Sequence, residues 1–156
     1  MRFQDMCVLA FCRLGVAGLA PKAPGTWGSA VACLLAPFVF LPFSYTGRVL
    51  ALVLIFIAGG LAAMRAEQLL GRKDPGEVVI DELLGVWIAL SPFEKPGPGI
   101  FVASFALFRL FDIWKPWPVR ASENWLPDGF GVMLDDAFAG LWTLLCVLVL
   151  HFLHIV

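Results

Sequence analysis

The apolar residues of this chain fall into long runs, which are separated by short segments rich in proline, glycine and charge. Runs of this length, without the strict alternation of a half-buried strand, predict helices. Five runs are candidate membrane spans, and they cover residues 28–43, 49–64, 78–93, 100–114 and 137–156. The last run belongs to a helix that we expect to begin near Asp135. The pattern therefore predicts an all-α membrane protein of about five helices.

A further apolar segment precedes these runs and differs from them. Residues 3–18 carry Asp5 and Arg13, which favours a helix that lies on the membrane or packs beneath it. We expect one membrane-embedded domain over residues 1–156. Its parts are an amphipathic N-terminal helix over 1–20, a motif-bearing core over 21–140 and a C-terminal transmembrane helix over 137–156.

Several of the runs are short for a bilayer. About 20 apolar residues cross a bilayer, and the lower limit is about 17. The candidates at 78–93 and 100–114 fall at or below that limit. They cross a locally thinned bilayer or form a hairpin that does not fully cross, and the sequence leaves both open.

The composition supports a membrane protein and argues against nucleic-acid binding. Of the 156 residues, 60% are hydrophobic and 15% are charged, whereas soluble domains are about half apolar and about a quarter charged. The mean hydropathy is +0.87. The net charge is −1 and the basic residues are not clustered, so no nucleic acid is expected as a partner. The sequence gives no indication of the oligomeric state.

The basic residues divide unequally between the two sides of the membrane. If all five runs cross, only Arg48 and Lys95 of the 11 lysines and arginines fall on one side. The others fall on the opposite side: Arg2, Arg13, Lys22, Arg65, Arg72, Lys73, Arg109, Lys115 and Arg120. The positive-inside rule makes that more basic side cytoplasmic.

Five carboxylates reach the same side from three different helices. They are Asp81 and Glu82 at the start of the third, Asp112 at the end of the fourth, and Asp135 and Asp136 at the start of the fifth. Acids at a helix start are ordinary caps, but Asp112 lies at a C-terminus, where a negative charge is unfavourable. Asp112 therefore needs a cation, either Arg109 or a metal. Converging carboxylates repel one another unless a divalent cation neutralises them, and hard oxygen ligands suit Mg²⁺.

The segment FALFRLFDIWKPWPVR, residues 105–120, places Arg109 and Lys115 beside these acids. Arg109, Asp112 and Lys115 lie three residues apart and share one broad face of a helix. Phosphate binding, or an ion pair with Asp112, suits Arg109. Arg120 is at least as well explained as an anchor at the membrane interface.

The loop LAPKAPGTWGS, residues 19–29, leads into the first candidate span. Exposed backbone amides at a helix N-terminus, together with the Thr26 hydroxyl, can hold a phosphate. A capped tight turn is the alternative. With Lys22 in the same loop, the candidate phosphate-binding residues are Lys22, Thr26, Arg109 and Lys115.

Four segments together resemble one protein family. They are APGTWGS at 23–29, VVIDELLGVWIAL at 78–90, FRLFDIWKPWPVR at 108–120 and GFGVMLDDAFAG at 129–140. In this order they closely resemble the phosphatidylglycerophosphatase A family of bacteria. The resemblance covers most of the chain from about residue 20 onward. The segments FDIWKPWP and GVMLDD are its most specific parts.

The resemblance implies a Mg²⁺-dependent phosphatase of the bacterial cytoplasmic (inner) membrane. Its substrate would be the phospholipid phosphatidylglycerophosphate, and its products phosphatidylglycerol and inorganic phosphate. The acidic and basic candidates fall inside the matched motifs, but the match does not give their separate roles. In-line attack by an activated water and an aspartyl-phosphate intermediate both stay open.

Other classes of function stay open on the residues alone. A small membrane ion transporter, or another divalent-metal-dependent membrane phosphotransferase, can use the same acidic cluster. The acids lie at helix ends and not in the middle of the bilayer, which favours chemistry at the interface over transport. A scaffolding protein would not need Asp112 at a helix C-terminus.

Overall fold

The computed structural model describes residues 2–156, and every regular element in that range is helical. The α-helices in chain order are α1 (Phe3–Cys12), α2 (Pro24–Leu35), α3 (Tyr45–Leu70), α4 (Ile80–Leu90), α5 (Pro98–Trp114), α6 (Val119–Ser122) and α7 (Gly129–Phe152). A 3₁₀ turn, Ala17–Leu19, precedes α2, and a π-helical turn, Ala36–Phe40, continues it. The five predicted runs correspond to α2, α3, α4, α5 and α7, so the all-α fold class is confirmed.

Three predicted helix boundaries are wrong. The helix α2 begins at Pro24, inside the predicted loop over residues 19–29. The first helix ends at Cys12 and not at residue 18, because Leu14 and Gly15 adopt left-handed backbone with φ of 47° and 72°. The last helix begins at Gly129 and not near Asp135. Asp135 and Asp136 therefore lie about two turns inside α7, where they cannot act as caps.

Two helices within residues 2–156 are long and apolar enough to cross a membrane. They are α3 and α7, whose most apolar windows have mean hydropathies of 2.3 and 1.9. The helix α4 has 11 residues and α5 has 17, so both are short for a full crossing. The membrane character agrees with the prediction, and the five crossings remain a prediction.

The short helix α4 forms the centre of the bundle. It packs against α2, α3, α5 and α7, and all of its residues except Ile88 are buried. A helix that is apolar on every side is stable only when other helices surround it. Trp87 fixes α4 against α2, since its ring stacks on Phe40 at 4.7 Å and its indole N–H donates to the Ala32 carbonyl at 2.9 Å.

Glycines allow α7 to approach α4 and α3 at backbone distance. A Cβ atom at Gly140 would lie 2.4 Å from the carbonyl oxygen of Gly85 in α4. A Cβ atom at Gly129 would lie 2.7 Å from the carbonyl oxygen of Gly60 in α3. Small residues at helix crossings permit this packing in membrane proteins. The N-terminal half of α7 is consequently held close to both neighbours.

Arg48 links three helices at the end of the bundle where α3 begins. Its buried guanidinium donates hydrogen bonds of 2.6–3.0 Å to four backbone carbonyls, those of Leu41, Phe43, Ser91 and Phe93. These carbonyls follow α2 and α4, where helix dipoles place partial negative charge. Arg48 therefore ties three helices together at one end.

The opposite end holds α1 through ion pairs. Asp5 in α1 accepts from Arg65 of α3 at 2.8 Å. Arg13, at the end of α1, pairs with Glu77 in the loop before α4, and Arg72 reaches the same carboxylate at 2.7 Å. The N-terminal helix is thus packed against α3 by charge as well as by apolar contact.

We predict that Gly140→Ala lowers the stability of the protein. The added methyl group meets the α4 backbone, which cannot move aside as a flexible side chain can, and overpacking of this kind costs about 1–3 kcal/mol. Thermal unfolding in detergent, followed by tryptophan fluorescence, measures the change. Gly99→Ala is the matched control, because its Cβ would meet Val156 at an ordinary 3.4 Å. Equal melting temperatures for the two variants would contradict the close crossing.

Candidate active site

A polar cavity of about 260 Å³ lies at the end of the bundle that is opposite to Arg48. Its walls come from the start of α2, the α3–α4 loop, the first turn of α4, the end of α5 and the first half of α7. The lining residues are Ala23, Pro24, Gly25, Asp74, Gly76, Val78, Asp81, Glu82, Arg109, Asp112, Lys115, Val132, Asp135 and Asp136. Acidic and basic side chains distant in sequence thus share one small space.

Three buried carboxylates form the centre of this cavity. Asp81, Glu82 and Asp136 each offer a carboxylate oxygen, and these three atoms lie within 4.8 Å of one another. The first two residues belong to the first turn of α4, and the third belongs to α7. The close crossing at Gly85 and Gly140 brings the two helices near enough for this. We refer to Asp81, Glu82 and Asp136 as the carboxylate triad.

The α4 carboxylates of the triad are held in an environment that disfavours their charge. Burial raises the pKa of Asp81 to about 6, and the negative charges of Asp74 and Asp112 act in the same direction. Burial also raises the pKa of Glu82 well above its usual range, and the neighbouring Asp81 adds to the effect. A bound cation would relieve both causes.

The acid at the end of α5 is paired with Arg109. The Nη1 atom of Arg109 lies 2.6 Å from Asp112 Oδ2 and 3.6 Å from Glu82 Oε1. The shorter contact is an ion pair, and the Nε atom on the other side of the guanidinium has no hydrogen-bond partner among the described residues. The structure thus gives Asp112 the partner one turn earlier that its unfavourable position requires.

The fifth carboxylate is paired with Lys115, which follows the end of α5. The Nζ atom lies 2.6 Å from Asp135 Oδ2 and 3.5 Å from Glu123 Oε2. Burial alone would lower the pKa of Lys115, but the hydrogen bond that its ammonium donates to Asp135 and the negative charges of Asp135, Glu123 and Asp136 raise it above its usual range. Lys115 is therefore a permanent positive charge at the cavity wall.

Unused hydrogen-bonding atoms face this space. Within residues 2–156, the buried Glu82 Oε2, Arg109 Nε and Arg109 Nη1 atoms have no hydrogen-bond partner. Buried polar atoms are usually satisfied, and exceptions mark sites where a ligand, ion or water is expected. Gly25 leaves room for them, because a Cβ atom there would lie 2.1 Å from Glu82 Oε1 and 3.0 Å from Arg109 Nη1.

Seven of the nine predicted site residues line the cavity, namely Asp81, Glu82, Arg109, Asp112, Lys115, Asp135 and Asp136. The other two lie outside its wall. Lys22 is exposed in a neighbouring apolar groove. Thr26 is half-buried in the first turn of α2, where its backbone N–H donates to the Ala23 carbonyl at 2.9 Å. Residues 23–25, which precede Thr26, line the cavity instead.

Two acids near the site were not predicted as site residues from the sequence. Asp74, in the α3–α4 loop, lines the cavity with a left-handed φ of 44°, and its backbone N–H donates to Glu67 Oε1 at 3.0 Å. Glu123 follows α6 and contacts Lys115. Both lie in polar loops, where an acid is ordinary, so only the three-dimensional contact distinguishes them. The Asp-Pro-Gly turn that begins at Asp74 was the available signal.

The residues present fit a divalent cation. The donors are carboxylate oxygens, which are the ligands that Mg²⁺ prefers, and the buried Glu82 Oε2 atom lacks a hydrogen-bond partner among the described residues. Three protein carboxylates also leave positions for water and for a phosphate oxygen, as is usual for Mg²⁺. Asp112 and Asp135, by contrast, are already neutralised by basic side chains.

Comparison with known proteins gives one consistent result. The family model described as Phosphatidylglycerophosphatase A matches residues 10–151. No solved structure matches the chain.

Three curated relatives match most of the chain. A protein of Bacteroides thetaiotaomicron named "Putative phosphatidylinositol-3-phosphatase" is 40% identical over 137 residues, which are 85% of this chain and 86% of the relative. Phosphatidylglycerophosphatase A of Haemophilus influenzae is 33% identical over 86% of this chain and 83% of its own length. Phosphatidylglycerophosphatase A of Escherichia coli is 38% identical over 79% of this chain and 71% of its own length. The resemblance seen in the four motifs is thus confirmed over nearly the whole sequence, and the chain belongs to the phosphatidylglycerophosphatase A family of phosphatases.

Proposed function

We propose that the protein hydrolyses the terminal phosphomonoester of phosphatidylglycerophosphate in a Mg²⁺-dependent reaction. The products are phosphatidylglycerol and inorganic phosphate, which places the enzyme in phospholipid biosynthesis. The observation that carries the proposal is the juxtaposition of the carboxylate triad with the unpaired Nε donor of Arg109. The printed names of the Haemophilus influenzae and Escherichia coli relatives support this substrate.

In this proposal the two cavity cations bind the phosphate. Arg109 offers the Nε donor, which has no hydrogen-bond partner among the described residues, and its planar guanidinium matches two phosphate oxygens at once. Lys115, 2.6 Å from Asp135, supplies a second positive charge. Both cations stabilise the charge that spreads over the equatorial oxygens as the phosphoryl group transfers.

The carboxylate triad holds Mg²⁺ and helps to activate the water. When bound, the cation neutralises phosphate charge and lowers the pKa of water in its coordination sphere. With the other oxygen of Glu82 on the cation, we assign the unpaired Oε2 atom to receive the proton of the attacking water. An aspartyl-phosphate route on Asp81 or Asp136 is the rival mechanism.

The name of the Bacteroides thetaiotaomicron relative favours a second candidate substrate, a phosphatidylinositol phosphate. Both lipids present a phosphate monoester on a phospholipid headgroup, so the same cavity chemistry serves either. They differ in the size of the alcohol that carries the phosphate. The functional test therefore includes both lipids.

We expect purified protein to release phosphate from phosphatidylglycerophosphate with Mg²⁺ present and to stop when a chelator is added. Asp136→Asn should lower this rate by at least about 100-fold, because it removes a charged ligand of the triad. Asp128→Asn is the matched control, since Asp128 is an exposed acid that precedes the same helix. Faster release from phosphatidylinositol 3-phosphate would select the second substrate.

Mg²⁺ should also raise the melting temperature of the wild type, as a ligand that binds only the folded state does. Asp136→Asn should lose most of this gain and be at least as stable as the wild type without metal, because one repelling charge is gone. Asp128→Asn should behave as the wild type. A wild type that neither melts higher with Mg²⁺ nor needs it for activity would exclude the metal site.

Arg109→Lys should lower kcat/KM by about 10- to 100-fold, because an ammonium cannot replace a two-point contact with phosphate. Arg120→Lys should have little effect, since Arg120 is exposed and does not line the cavity. Steady-state kinetics on mixed micelles measures both. Equal losses in the two variants would mean that Arg109 acts only as a surface cation.

We further propose that the protein is a multi-pass protein of the bacterial cytoplasmic membrane, with its cavity facing the cytoplasm. In a background that lacks the natural cysteines, we expect a membrane-impermeant maleimide to label Lys95→Cys on intact cells. Lys73→Cys should react only after permeabilisation. Both positions are exposed, so access and not burial decides the result. Labelling of position 73 alone would reverse the orientation.

A further inference from the structure

An apolar groove adjoins the cavity and carries a single charge at its edge. Its volume is about 520 Å³, and it lies between the segment that follows α1 and the outer face of α2. It is lined by Leu14, Val16, Ala17, Ala20, Pro21, Lys22, Trp27 and Val31. Trp27 and Val16 are 58% and 80% exposed, so the groove is open to the surroundings along its length.

The groove and the cavity share one short piece of chain as their common wall. Lys22 lines the groove, and the next three residues, 23–25, line the cavity. Three residues span at most about 11 Å, so the Lys22 backbone lies within that distance of Gly25, which contacts Glu82 and Arg109. A molecule with two anionic groups and an apolar tail can therefore occupy both spaces at once.

Charge distinguishes this groove from others on the helix surface. A groove of about 510 Å³ between α5 and α7 is lined by Leu107, Trp142, Leu145, Cys146, Val149 and Leu150. A third is lined by Ala30, Cys33, Leu34, Phe101, Val102 and Phe105. Every lining residue of these two grooves is uncharged. Among these three grooves, the one at Lys22 alone combines an apolar surface with a cation, and Lys22 directly precedes the residues that line the cavity.

We propose that this groove binds an acyl chain of the phospholipid substrate, with Lys22 contacting the inner phosphodiester that joins the diacylglycerol to the headgroup. The proposal rests on the proposed function, since it needs the terminal phosphate to lie in the cavity. It gives Lys22 a phosphate-binding role at a different phosphate from the one that Arg109 and Lys115 bind. The site then selects a phosphate monoester carried by a lipid over the same headgroup in water.

A groove-filling variant tests the proposal. Val31→Trp on α2 should raise KM for long-chain phosphatidylglycerophosphate about tenfold, the equivalent of about two methylenes left unburied. It should leave kcat/KM for the deacylated headgroup, glycerophosphoglycerophosphate, unchanged. Leu34→Trp, on the same helix but in the third groove, is the matched control and should change neither value. Equal KM values for the two tryptophan variants would overturn the proposal.

Photolabelling gives a readout that does not need activity. The probe is phosphatidylglycerol with a diazirine on one acyl chain, added to the full-length protein in phosphatidylcholine nanodiscs. We expect label in residues 14–31, competed by phosphatidylglycerol and lost in Val31→Trp but not in Leu34→Trp. Label that is equal in the α5–α7 groove, or that is not competed, would overturn the groove assignment. Failure of phosphate release with this labelling pattern intact would instead count against the proposed function.

Discussion

The backbone contact between α4 and α7 is the constraint on which the site depends. Gly85 and Gly140 let the two helices meet without intervening side chains, and a Cβ at Gly85 would also lie 2.7 Å from the Asp136 carbonyl oxygen. Larger residues here would move α7 outward and separate Asp136 from Asp81 and Glu82. Close helix packing thus supplies the attraction that holds like charges together.

The five acids that the sequence predicted for the cavity are not equivalent, and the difference is electrostatic. Asp112 and Asp135 each have a basic partner at 2.6 Å, so their charges are compensated within the chain. The carboxylate triad has no such contact except the 3.6 Å approach of Arg109 to Glu82. Buried charges without partners cost several kcal/mol, and a ligand cation is the compensation that suits a phosphatase. Asp112 and Asp135 therefore orient the side chains of Arg109 and Lys115, whereas the carboxylate triad remains available to a bound cation.

The sequence predicted the helices and the convergence of the site for a simple reason. Each apolar run reverses the direction of the chain, so polar segments that precede or follow alternate runs must meet at one end. Asp112 stood out because an acid at a helix C-terminus needs a cation. These inferences use only hydropathy and helix polarity, and both are local properties of the chain.

Details that depend on packing were not predictable in this way. The start of α7 was not predicted because Gly129 and Gly131 suggested a loop. Both glycines are helical and allow close packing: a Cβ atom at Gly131, for example, would lie 2.2 Å from the Glu123 carbonyl oxygen. The contact between Lys115 and Asp135 requires knowing that α5 and α7 are neighbours. Lys22 lies outside the cavity because the chain turns at Ala23, whose backbone is left-handed, so that Lys22 lines the groove and Ala23 lines the cavity.

The four carbonyls held by Arg48 have a consequence for how the bundle can move. They fix α2, α3 and α4 to one another at the end remote from the cavity. Any widening of the cavity must then be a tilting of helices about this point, since their separation as parallel rods would break several charge-assisted hydrogen bonds at once. The displacement is then greatest at the cavity end of the bundle. A single arginine thereby holds three helices together at one end and leaves the other end, which carries the carboxylate triad, as the part that can open.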